Sequence, residues 1–298
     1  MSAPEENGFE NLPELPGVTH RRVQLRELRM HVAEAGEGPP LVLLHGWPQH
    51  WWSHRHLIPQ LATRYRVLAP DLRGLGWSDA PPGDYAKSTF ADDVLELLDH
   101  EGIEQAFVIG HDWGGYAAFL LALEHPQRVR RMIALDIPPP WPGRPRPRQV
   151  ALPLLVSYQV LLATPLGRRM LMSGPGLVRA IIRLATGPLY QWNEQDLELY
   201  AQRLREPARA QASSAIYRTF LTRELPASLR RGDRSAELSV PTLLLMGQNS
   251  GIDRILTPQS SGMLEVRRVA GAGHFLAEEA PAEVLAAAAE WFGDAAGG

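Results

Sequence analysis

Val108-Ile-Gly-His-Asp-Trp-Gly-Gly-Tyr-Ala117 is the stretch that decides the fold. It opens as an apolar strand, Ala106-Phe-Val-Ile109, and closes as an apolar helix running from Tyr116 to Leu123. Between them, Gly110-His111-Asp112-Trp113-Gly114 has the small-x-nucleophile-x-small pattern of a nucleophile elbow. Such a tight turn lifts one side chain above the end of a parallel strand. Glycines flank it because a Cβ there would collide with the neighbouring strand and helix. The apical side chain is usually a serine hydroxyl; here it is the carboxyl of Asp112.

That exchange changes the chemistry. A carboxyl with a reference pKa of about 4 is ionised at neutral pH and needs no base to become a nucleophile. Attack on a carbonyl would give an anhydride and gain little, whereas attack on a saturated electrophilic carbon gives a stable alkyl ester. Asp112 therefore points to displacement at carbon, either opening an epoxide or expelling a halide. The competing explanation is an Asp that only caps the helix starting at Trp113, and the other motifs bear against it.

Working outward, Arg21–Leu25 and Leu28–Ala33 alternate and read as two antiparallel strands. Leu41–Leu44 is fully apolar, as a buried parallel strand is, and Arg66–Ala69 reads as the next strand. Ser53–Arg64 reads as a helix, and so does Ser88–Glu101, with apolar residues at 90, 91, 94, 95, 97 and 98. Arg131–Leu135, Pro241–Met246 and Glu265–Val269 complete the strands, and Ala282–Phe292 is the last helix. Strands alternating with helices predict a mostly parallel central sheet covered by helices on both faces, an α/β fold. Pro138–Pro147 is rich in proline and arginine, and the pattern from there to about residue 236 is helical. Residues 1–137 and 238–298 are thus expected to form the core, with 138–237 an inserted helical cap and 1–17 a loose N-terminal arm.

Composition sets bounds. A chain of 298 residues holds one large domain or a core with an insert. The net charge of −3 suggests neither nucleic acid nor an anionic membrane as a partner. The absence of Cys excludes disulfides, a thiol nucleophile and thiolate metal sites. No apolar run approaches the roughly 18 residues of a membrane span. Met1–Pro16 lacks the basic start and apolar run of a signal peptide, so a cytoplasmic protein is expected, monomeric or a homodimer.

Four motifs occur in order along the chain: His45-Gly-Trp-Pro48, Asp71-x-Arg-Gly-x-Gly-x-Ser-Asp79, Gly110-His-Asp-Trp-Gly-Gly115 and Gly273-His-Phe275. Together they resemble the α/β-hydrolase fold and, within it, the epoxide hydrolases and their haloalkane and fluoroacetate dehalogenase relatives. The likeness runs from about residue 20 to the end and is weakest in the cap.

An ester on Asp112 must be hydrolysed, which needs a base to deprotonate water. His274, the His in a Gly-flanked loop after the last strand, is the candidate, and the resemblance implies the same position. The oxyanion formed needs two backbone N–H donors. The resemblance implies Trp113, after the nucleophile, and Trp47, next to Pro48, which would fix the bend of that loop. His45, Pro48 and Trp51 are expected beside the substrate pocket, although His45 and His111 could serve only to brace its backbone. His274 also needs an orienting carboxylate. The fold's usual place for it, after the seventh strand, is occupied by Ser250. Asp136, at the end of the preceding strand, matches the arrangement of the fluoroacetate-dehalogenase-like relatives and is favoured; Asp253 is the alternative.

The leaving group separates the two chemistries. An epoxide leaves as an alkoxide and needs a donor at its oxygen, which a Tyr phenol supplies. The resemblance to epoxide hydrolases implies two cap tyrosines, and Tyr158-Gln159 and Tyr217-Arg218 fit their contexts. Fluoroacetate dehalogenases place Arg shortly after the nucleophile, where this chain has Trp113 and Tyr116, and haloalkane dehalogenases commonly carry Asn or Glu in place of Trp47. The expectation is therefore an epoxide hydrolase that converts a small apolar epoxide and water to a vicinal diol, with no metal or organic cofactor. A haloalkane-type dehalogenase using the same Asp112 is the alternative, and a binding protein without turnover is a third reading.

Overall fold

The computed structural model describes residues 9–141, 152–231, 234–252 and 259–293. Its strands are β1 (Thr19–Gln24), β2 (Arg29–Ala35), β3 (Pro40–Leu44), β4 (Arg66–Pro70), β5 (Ala106–His111), β6 (Val129–Leu135), β7 (Thr242–Gly247) and β8 (Leu264–Val269). They form one sheet in the order β1-β2-β4-β3-β5-β6-β7-β8. β1 pairs antiparallel with β2, and β2 with β4. Every pairing from β4 across to β8 is parallel. The switch from hairpin to crossover connections follows the lengths between strands, since parallel neighbours need a dozen or more linking residues.

The helices are α1 (Ile58–Leu61), α2 (Lys87–His100), α3 (Asp112–Glu124), α4 (Leu152–Leu162), α5 (Pro165–Ser173), α6 (Gly176–Ala185), α7 (Glu194–Leu204), α8 (Pro207–Thr219), α9 (Leu225–Arg231), α10 (Leu276–Glu279) and α11 (Pro281–Gly293). A π-helical turn, Phe220–Glu224, joins α8 to α9. The described part of the chain between β6 and β7 is helical and contains no strand.

Alternation along β3 assigns the two faces. Val42 and Leu44 point into a cluster with Val108, Phe90, Val94, Leu97 and the helices of the insert. Leu41 and Leu43 point into another with Phe107, Ile109, Val284 and Phe292. Both faces are covered, which is why these strands read as unbroken apolar runs. Each fully buried Leu, Val or Phe contributes about 1.5–3 kcal/mol of transfer free energy.

Three local expectations differ from the structure. Ser53–Arg64 is not one helix: a short 3₁₀ turn at Trp51–His54 precedes α1. The Trp51 N–H is drawn to Asp71 Oδ1 at 2.8 Å, and Pro59 has no N–H to continue a ladder. The described part of the N-terminal arm is held rather than loose. Phe9 meets the His31 ring edge-on with centroids 4.9 Å apart, Trp77 Nε1 donates to the Glu10 carbonyl, and Leu12 and Leu15 pack on the sheet's outer cluster. Residues 1–8 lie outside the described residues, as do Pro142–Pro147 of the Pro/Arg stretch. Finally, Trp51, expected in the pocket wall, is fully buried in the same cluster as Leu41 and Leu43. Its ring packs on His20, with centroids 4.7 Å apart.

Candidate active site

β5 ends at His111 and α3 begins at Asp112, whose φ of 48° is a left-handed conformation that few non-glycine residues adopt. The strain is tolerated because the surroundings are built without side chains. A Cβ on Gly46 would sit 2.3 Å from Asp112 Cβ, and one on Gly114 2.4 Å from the His45 carbonyl oxygen. Gly110 and Gly115 likewise pass each other at backbone distance. The motif glycines thus let β3, β5 and α3 close to where the Asp112 carboxyl can be gripped by main chain.

The grip comes from N–H groups. Trp47 N–H donates to Asp112 Oδ2 at 3.0 Å, and Trp113 N–H also bonds this carboxylate. The Trp47–Pro48 peptide is cis. Burial raises the Asp112 pKa above the ordinary carboxylate range, and His274, these two N–H donors and Lys87 act in the opposite direction.

His274 Nε2 lies 3.9 Å from Asp112 Oδ1, too far for a direct hydrogen bond. On the other side of the ring, Nδ1–H donates to Asp136 Oδ2 at 2.7 Å. Burial alone would lower the His274 pKa, but the bond and charge of Asp136, reinforced by Asp112, bring it above 6.5. Asp136 is fully buried at φ 44° just past β6. It also accepts Gly247 N–H at 2.9 Å on Oδ1 and the Ser250 hydroxyl at 2.6 Å on Oδ2. Ser250, where the resemblance placed the usual acid, therefore hydrogen-bonds Asp136, the residue expected to replace it. Asp253 lies outside the described residues.

The loop carrying His274 is fixed from several sides. His111 Nε2–H donates to the His274 carbonyl at 2.9 Å, with ring centroids 4.6 Å apart. Burial holds the His111 pKa well below 6.5, so the ring stays neutral. His274 N–H donates to the Ala185 carbonyl at the end of α6. Glu279 accepts Gly273 N–H and Gly187 N–H at 2.7 Å on one oxygen and Phe275 N–H at 2.8 Å on the other. Glu279 was not legible as a site residue in the sequence. Its only signal is an acidic pair shortly after the His loop, and such pairs are common in first turns of helices.

Of the residues expected beside the pocket, His45 is enclosed. Its Nε2 accepts Leu72 N–H at 2.9 Å and its Nδ1–H donates to the Gly46 carbonyl at 3.0 Å, so both ring nitrogens are used in bracing backbone. Asp71 is similarly structural. It accepts Trp51 N–H and Trp77 N–H and bonds His31 at 2.7 Å, and a Cβ on Gly76 would fall 2.1 Å from it. Pro48 is buried next to Trp47.

The insert brings two tyrosines to the same place. Tyr217, on α8, is buried, its ring edge-on to Trp47 (5.3 Å between centroids) and near Trp113 (5.8 Å). Tyr158, on α4, is partly exposed, stacks over Trp47 at 6.5 Å and lies 5.8 Å from Tyr217. Burial and the nearby Asp112 charge push the Tyr158 phenol up to about 12. Burial, Tyr158 and Asp112 push Tyr217 well above 10. Both phenols stay protonated at any physiological pH. Trp47 Nε1 donates to Ser213 Oγ at 3.1 Å, a second tie between core and α8. No group of metal-binding side chains occurs among the described residues.

At the strand-to-helix corner the structure brings together a buried carboxylate, a His–Asp pair facing it and two backbone N–H donors. The chain belongs to the alpha/beta hydrolase fold family, whose profile matches residues 39–281. It is 49% identical over 122 residues to a soluble epoxide hydrolase from Corynebacterium sp. (strain C12), covering 41% of this chain and 43% of that protein. It is 38% identical over 154 residues to bifunctional epoxide hydrolase 2 of Mus musculus, covering 50% of this chain and 28% of that one. The matches thus span under half the length of these curated relatives. Among solved structures, epoxide hydrolase CorEH is 30% identical with a TM-score of 0.79, the alignment covering 93% of this chain and 99% of that one. Cfl2 from Burkholderia cenocepacia is 25% identical with a TM-score of 0.80, covering 94% and 97%. No helix among the described residues is long and apolar enough to cross a membrane.

Proposed function

We propose that this protein is an epoxide hydrolase that works through an alkyl ester on Asp112. The helical insert acts as its cap. Tyr158 and Tyr217 hydrogen-bond the oxirane oxygen, and Asp112 Oδ1 attacks a ring carbon. The C–O bond breaks, and the alkoxide takes a proton from a phenol. His274 Nε2 then removes a proton from water, whose oxygen attacks Asp112 Cγ. The negative charge gathers on Oδ2, the oxygen that accepts the Trp47 N–H, with the Trp113 N–H as the second donor to the carboxyl. Collapse of this intermediate expels the diol oxygen, which takes the proton from His274. The second proton of the water, left on the Asp112 carboxyl, passes to the phenolate, restoring both groups.

The observation that carries the reading is the placing of two protonated phenols opposite a nucleophile that is a carboxylate. A halide needs no proton, whereas an alkoxide does. Names of relatives support the same class. The substrate matched by Trp47, Trp113, Tyr158 and Tyr217 is small and apolar, with an oxygen at its reacting end.

A single turnover in heavy-oxygen water tests the ester. The isotope should enter the protein and be absent from the first diol released; a labelled first product would mean direct attack by water. Chloride release from a haloalkane without diol from styrene oxide would move the assignment to the dehalogenase chemistry.

A further inference from the structure

We infer that Lys87 is a positioning residue for ring opening: from the core it grips the Ile216 carbonyl and Glu224 and so holds Tyr217 against Trp113, over Asp112. The inference rests on the role given to Tyr217 above.

Lys87 is the first residue of α2, and its side chain is completely buried. Its Nζ donates to Glu224 Oε2 at 2.7 Å and to the Ile216 carbonyl at 2.9 Å. The same ammonium lies 4.5 Å from the centroid of the Trp113 ring and 5.4 Å from that of Phe220. Its backbone N–H donates to the other Glu224 oxygen at 2.7 Å. One core residue thus holds both oxygens of an insert carboxylate, the carbonyl adjoining Tyr217 and the face of the Trp whose N–H meets the nucleophile.

The arrangement is costly as mere glue. Burying an ammonium and a carboxylate is often no better than apolar packing of the same shape. Nor is another tie lacking, since Arg55 bonds Asp196 of α7 at 2.8 Å and Glu278 at 2.6 Å. What Lys87 adds is location. Glu224 closes the π-helical turn that continues α8, and such turns recur where a helix must present a side chain out of regular register. The cation fixes that turn, and with it the rotation of α8 that aims the Tyr217 phenol.

Lys87→Met and Glu224→Gln test this by two readouts. The first is the Cζ resonance of isotope-labelled Tyr217, assigned with Tyr217→Phe. It should move in both variants, and an unchanged resonance in both would overturn the inference. The second is single-turnover kinetics on an epoxide, following ester formation and ester hydrolysis separately. Ester formation should slow about tenfold, as for one misaligned donor, while hydrolysis stays within about twofold. In a Tyr217→Phe background, Lys87→Met should add no further loss. Equal slowing of both steps, or an undiminished loss in that background, would show a merely structural role. If Lys87→Met does not fold, Glu224→Gln carries the same readouts while keeping shape. If wild type forms no ester at all, the proposed function fails, and the Tyr217 resonance alone decides the role of Lys87.

Discussion

Replacing Asp136 by Asn should stall the enzyme after its first chemical step. Asp136 Oδ1 holds the Gly247 N–H, and Oδ2 holds both the Ser250 hydroxyl and His274 Nδ1–H. An Asn that keeps its oxygen on Gly247 turns an NH₂ group toward His274, donor against donor. The imidazole must then carry its proton on Nε2, where it cannot act as a base. The charge is lost as well. An imidazolium and a carboxylate with centres about 4 Å apart interact by about 4 kcal/mol at an effective dielectric of about 20. That corresponds to about a thousandfold in rate. Attack by Asp112 on the epoxide uses neither group, so the ester should form and persist. The intact protein, quenched during turnover and weighed by mass spectrometry, should be heavier by one whole epoxide molecule. Turnover within about tenfold of wild type, or no adduct, would refute the assignment of Asp136 as the partner of His274.

Tyr158→Phe and Tyr217→Phe should each lower the rate of ester formation about tenfold or more, with ester hydrolysis little changed, since each removes one donor from the leaving oxygen; unchanged epoxide turnover in both would remove the phenols from the mechanism. His274 must be neutral to take a proton from water, and Asp136 holds its pKa above 6.5, so ester hydrolysis should fall on the acid side with an inflection above that value and lower in Asp136→Asn; a pH series of single turnovers reads it. Gly46→Ala would place a methyl 2.3 Å from Asp112 Cβ, and overpacking of this kind should cost about 1–3 kcal/mol in denaturant unfolding, with loss of activity in whatever remains folded. Glu279→Gln would turn an NH₂ toward one or more of the N–H groups of Gly187, Gly273 and Phe275, and should cost about 1–3 kcal/mol while slowing ester hydrolysis more than ester formation.

The parts of the fold and site readable in the sequence were those fixed by short-range pattern. β3, β5 and β7 announced themselves as apolar runs because helices cover both faces of the sheet there, while β1 and β2 showed only as alternation. The elbow was legible because Gly110, Gly114 and Gly115 each face backbone or side-chain atoms too close to admit a Cβ. What escaped depended on partners distant in the chain. Trp51 looks like Trp47 in sequence, yet an N–H bond to Asp71 turns it toward the opposite face of the sheet. For His45 the sequence left two readings open, pocket lining or bracing of the backbone, and Leu72 N–H and the Gly46 carbonyl, which occupy its ring, favour the second. Lys87 reads as an ordinary first-turn lysine, because Glu224 and Ile216, which enclose it, lie well over a hundred residues away.

The Ser250 hydroxyl, 2.6 Å from Asp136, bears on which substitutions the site tolerates together. Placing an acid at 250 while Asp136 remains would set two buried carboxylates side by side, and one of them would have to stay protonated. Removing Asp136 first leaves His274 without an orienting partner. The two positions are therefore coupled: the charge state of a side chain at 250 sets the charge state of Asp136, and the effect of substituting one depends on which residue occupies the other.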